Sequence, residues 1–103
     1  MTVYLEADAD LIRSKLPVDA TPPADSEQLF LFYAVLMRAK GARVSAEDVH
    51  NAWVAWMYSR DPQHEALIPY SQLNLDAQAQ DSPYMSAIRS AARVRAEEAL
   101  AEE

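Results

Sequence analysis

One glycine in 103 residues, Gly41, is the feature that most constrains this chain. Tight hairpins and sharp β-turns recruit glycine because it alone takes positive φ without steric cost, so a hairpin-built fold is hard to reach. Runs of alternating β-branched residues are missing as well. What remains is a set of helices joined by turns that proline and Asx residues mark, and the chain has six prolines. At 103 residues it can bury one modest core and no second. The expectation is therefore a small all-α single domain spanning residues 1–103, with four main helices.

The helix boundaries follow from caps and periodicity. A first helix is expected from about Tyr4 to Lys15, capped by Thr2, with Leu5, Ile12 and Leu16 as a thin apolar stripe. Glu6 and Asp8 suit the positive end of its dipole, and Pro17 stops it. Residues 17–23, with three prolines, read as a stiff connector short enough to lie against the domain. A second helix opens at Asp25 or Ser26 and runs to Lys40, with Gly41 closing it. Its centre, residues 29–37, is apolar on every side, which places it at the middle of the fold. The third helix has the clearest start, because Ser45-Ala46-Glu47-Asp48 resembles a capping box with Asp in the usual Glu or Gln position. At 100° per residue, Val49, His50, Trp53, Val54, Trp56 and Met57 share one arc of it. Ser71 is expected to cap a short turn through Leu75. A last helix begins at Asp81 or Ser82, with Pro83 in the first turn and Tyr84, Met85, Ile88, Ala91 and Ala92 facing inward. Residues 96–103 read as an acidic, fraying tail.

Charge and composition exclude several functions. Sixteen acidic residues against nine basic ones give a net charge of −7, unsuited to the phosphate neutralisation that nonspecific nucleic-acid binding needs. Residues 29–60 are the exception, with four basic side chains and two acidic ones. Arg38, Lys40, Arg43 and Arg60 are thus the candidate contacts for a ligand phosphate, although the first three also suit a helix C-terminus. Without cysteine there is no disulfide or thiolate site, and two histidines make a poor zinc cage, so no metal or cofactor is expected. No phosphate loop, nucleophile elbow or HExxH motif occurs, which argues against an enzyme. No leader pattern occupies the first thirty residues and no apolar run approaches a membrane span, so a cytoplasmic, membrane-free protein is expected.

The informative constellation is Val49-His50-Asn51-Ala52-Trp53, followed by His64-Glu65-Ala66-Leu67-Ile68-Pro69-Tyr70-Ser71-Gln72-Leu73. It resembles the RyR domain, the repeat of ryanodine receptors also found in small bacterial and phage proteins. That family's pattern is a helix with His-x-x-Trp, then His-Pro-x-Leu-Val-Pro-aromatic-x-x-Leu, then a closing helix. The likeness covers about residues 45–95. Here Glu65 stands in place of the usual proline, and residues 56–63 replace a longer loop. The chain also looks like short proteins of actinobacteria and their phages.

The resemblance implies ligand binding without turnover. Paired RyR repeats form a site for adenine nucleotides, which makes an adenine- or NAD-derived nucleotide the expected ligand of a sensor or sequestering protein. Carried over by motif, the contact residues are His50, Trp53, His64 and Tyr70. An indole offers a stacking face for a base, and an imidazole offers a donor or acceptor. Because the receptors use two repeats per site, a homodimer is a further expectation. The alternative is an interaction module, a phage or bacterial adaptor that docks on a host protein and has no small-molecule ligand.

Overall fold

The computed structural model describes residues 3–102. Four main helices carry the fold: α1 (Tyr4–Ser14), α2 (Glu27–Lys40), α3 (Ala46–Arg60) and α5 (Ser82–Ala101), with a short α4 (Leu75–Ala79) before the last. Single 3₁₀ turns occupy Gly41–Arg43 and Tyr70–Gln72. No strand occurs among the described residues. The all-α class expected from the sequence is therefore what the chain forms.

Helix α2 sits in the middle, against α1, α3 and α5. It buries Leu29, Phe30, Tyr33, Ala34 and Met37, which follow helical spacing along one face. Its apolar run does not make it buried all round: Leu31, Phe32 and Leu36 are half-buried and Val35 is 52% exposed. Opposite it, α5 buries Ala87, Ile88 and Ala91. Ile12 from α1, Val44 after the 3₁₀ turn, and Val49 and Trp56 from α3 complete one core. Gly41 takes φ +59°, which explains the placement of the chain's glycine at the end of α2.

Two boundaries differ from the sequence expectation. Thr2 lies outside the described residues, and the N-cap position of α1 is Val3. The short helix before α5 is capped by Asn74, whose Oδ1 accepts from the Ala77 N–H at 2.8 Å, rather than by Ser71. Ser71 lies instead in the preceding 3₁₀ turn. Helix α5 continues through Ala101 with residues 96–101 exposed, as a solvated helical end.

Asp8 is a correction of a different kind. It does not serve the dipole of α1 from the surface; it is fully buried. Its carboxylate accepts from Arg38 Nε at 2.7 Å and Nη2 at 3.0 Å, and from Arg95 Nε at 2.9 Å. One carboxylate thus joins α1, α2 and α5. Burial alone would raise the Asp8 carboxyl, but hydrogen bonds and charge from the two guanidinium groups outweigh it and hold it below the ordinary range.

Candidate functional site

The capping box fixes where α3 starts, and with it the direction of every side chain on the helix. Ser45 Oγ accepts from the Asp48 N–H at 3.1 Å, and Asp48 Oδ2 accepts from the Ser45 N–H at 2.9 Å. From that start, His50 and Trp53 fall one turn apart on the face that meets residues 64–73. His50 is 3% exposed. Its Nε2 lies 2.7 Å from the Ile68 carbonyl, an acceptor only, so Nε2 carries the proton and donates.

The four residues singled out by motif come together. The His50 and Trp53 rings are nearly parallel, with centroids 5.8 Å apart. His64 meets Trp53 edge-on at 5.1 Å, and Tyr70 is tilted against His50 at 6.1 Å. His64 Nδ1 accepts from the Ala66 N–H at 3.0 Å, which holds that ring in place. Gln78 of α4 donates to the carbonyls of Tyr70 and Leu73, both at 3.1 Å, and so ties the segment to α4.

In front of this cluster lies a cleft of about 500 Å³. Ala20, Thr21 and Pro23 of the connector form one wall, so that connector does lie against the domain. His50, Trp53 and His64 form a second wall, and Tyr33, Asp81 and Tyr84 a third. The volume is ordinary for a small-molecule site, and the lining is mainly apolar with few polar groups, as such sites usually are. Tyr70 supports His50 from behind and does not line the cleft.

Asp81 is the residue that sequence reasoning missed. It occupies the N-cap position of α5, yet its side chain makes no capping hydrogen bond. It turns into the fold instead, where Oδ2 is buried and finds no hydrogen-bond partner among the described residues. The nearest polar atom of His50, Nδ1, is 4.0 Å away, beyond hydrogen-bond reach. Burial raises the Asp81 carboxyl from 3.8 to about 6, and the His50 ring offsets only part of this. Burial, with the Asp81 charge adding to it, also pushes the phenols of Tyr33 and Tyr84 upward, so both remain neutral donors. An Asp before Ser-Pro signals a helix cap in sequence; nothing local to it signals a cleft.

The four basic candidates lie apart from this group. None of Arg38, Lys40, Arg43 and Arg60 lines the cleft. Arg38 is held by Asp8, and Lys40 Nζ donates to Asp48 at 2.9 Å. Arg60 donates to the Asp25 carbonyl at 2.9 Å and lies over the Trp56 ring at 4.5 Å. Arg43 sits in the 3₁₀ turn after α2. No cation of this set faces the cleft.

A family model described as a domain of unknown function, DUF7701, matches residues 3–93, most of the chain. The chain belongs to the DUF7701 family. No curated protein and no solved structure matches it. The matched span of this DUF7701 domain contains every residue that lines the cleft and ends within α5, before Arg95. No group of three or more His, Asp or Glu suited to holding a metal occurs among the described residues. No helix among them is long and apolar enough to cross a membrane.

Proposed function

We propose that this DUF7701 domain is a non-catalytic binding module whose cleft takes the base of an adenine- or NAD-derived nucleotide. The observation that carries the reading is the joint presence of an aromatic wall and one unpaired buried carboxylate in the same cleft. Trp53 and His64 offer flat faces for a planar heterocycle, and stacking of a base on an aromatic side chain is worth about 1–3 kcal/mol. Asp81 Oδ2 offers an acceptor that lacks a donor. A nucleobase supplies both a π-face and N–H groups. The resemblance of residues 49–53 and 64–73 to the RyR repeat supports the same ligand class. The lining has no arginine or lysine, so the ribose and phosphates would extend toward solvent.

Calorimetry with adenosine and AMP at low and high salt tests this reading. Both should bind with similar affinity, and added salt should weaken AMP little, because no cation of the cleft meets its phosphate. Absence of heat with either compound at millimolar concentration would remove the proposal and favour an adaptor that docks on another protein.

A further inference from the structure

The polar end of the cleft has a definite donor and acceptor pattern. His50 spends its Nε2 proton on the Ile68 carbonyl, so in the neutral ring Nδ1 presents a lone pair. Facing it at 4.0 Å is Asp81 Oδ2, also an acceptor and also unpaired. Two acceptors at that separation cannot satisfy each other. Oδ2 is enclosed, so a ligand atom reaches it only as the Asp81 side chain turns toward the cleft. An atom about 2.9 Å from both acceptors would then see them at roughly 90°, within the bend that two good hydrogen bonds from one nitrogen tolerate.

The complement of this arrangement is one nitrogen that carries two hydrogens. Resting on the base-binding reading above, we propose that His50 and Asp81 together recognise an exocyclic amino group of the bound base, and so select amino- over oxo-substituted rings. An amino group gives one N–H to each acceptor. An oxo oxygen at the same place sets a third acceptor against two others and gives neither a donor. Sites built on such pairing discriminate strongly, because the wrong ligand leaves polar groups desolvated and unpaired. Asp81 gives up helix capping to face the cleft, and this pairing supplies the donor that its buried oxygen lacks.

The test compares adenosine, purine riboside and inosine, which carry an amino group, a hydrogen and an oxygen at the same ring carbon. Calorimetry at about pH 8 keeps the Asp81 carboxyl ionised. Adenosine should bind the wild-type domain at least about tenfold more tightly than purine riboside, with inosine weaker still. In Asp81→Asn the preference of adenosine over inosine should shrink or reverse, since the amide can donate to the oxo group of the base. The ¹⁵N signal of His50 Nδ1 in the wild-type protein should move on adding adenosine and stay in place on adding inosine, a readout that needs no variant. Equal binding of adenosine and inosine would overturn this inference while leaving the base-binding reading intact. So would an unchanged preference in Asp81→Asn or an unmoved Nδ1 signal. Failure of all three nucleosides to bind would overturn both.

Discussion

Replacing Asp81 with Asn should make the protein more stable at neutral pH and leave it unchanged in acid. The substitution keeps the shape of the side chain and removes its charge. In the unfolded chain the carboxyl ionises near 3.8, and in the fold near 6, because burial penalises the charged form. Below about pH 4 the group is protonated in both states and costs nothing. Between about pH 4 and 6 the unfolded chain releases the proton while the fold keeps it, so stability falls across that window and levels off above 6, where both states are charged. The rise from 3.8 to about 6 corresponds to about 3 kcal/mol at full effect. Solvent around a side chain that is still 15% exposed screens part of this. The favourable position of a negative charge at the start of α5 returns a further ~0.5 kcal/mol. A gain of about 1–2 kcal/mol at pH 8 is the expected result, equivalent to roughly 5–15 °C in melting temperature for a domain of this size. No capping bond is lost, because none is made. Urea unfolding of both proteins at pH 4 and pH 8 measures the difference directly. A variant less stable than wild type at pH 8, or a gain that persists undiminished at pH 4, would refute the argument.

The remaining perturbations test the packing. Asp8→Ala should cost about 1–3 kcal/mol by urea unfolding, below the usual figure for a broken buried pair, because Arg38 and Arg95 can turn to solvent. Phe30→Ala should cost about 3–5 kcal/mol, whereas Val35→Ala on the exposed side of the same helix should cost less than about 0.5 kcal/mol; equal effects would mean that α2 is rotated. Removal of residues 99–103 should leave the melting temperature nearly unchanged, since Leu100 is 70% exposed and Glu98, the partner of Arg95, is retained.

The features legible in the sequence are those whose causes are local. The capping box of α3 depends on residues three apart, and both of its hydrogen bonds form. That box sets the phase of His50 and Trp53 on α3, while the grouping of His50, Trp53, His64 and Tyr70 follows from the resemblance of residues 49–53 and 64–73 to the RyR repeat, and their rings do meet. Long-range pairings were not legible. Asp8 finds Arg38 and Arg95 at separations of 30 and 87 residues, so its own surroundings suggested only a dipole partner. Arg38 reads as a phosphate candidate in sequence for the same reason. Asp81 carries a strong local capping signal, yet its side chain makes no capping bond and turns toward His50 on another helix. Val35 shows the limit of hydropathy: an apolar run does not fix which side faces water, and single exposed valines are common.

The central claim is that the cleft between the connector, α3 and the start of α5 holds an adenine base. A ¹H–¹⁵N NMR titration of the wild-type domain with adenosine reads it most directly. The account predicts saturable shifts at the Trp53 indole N–H and at the backbone amides of His50, Ala66 and Asp81, all of which belong to cleft-lining residues. The Trp56 indole, buried in the core and outside the cleft lining, should stay in place. No perturbation at the cleft at millimolar adenosine, or shifts confined to the surface around Arg38 and Arg43, would contradict it.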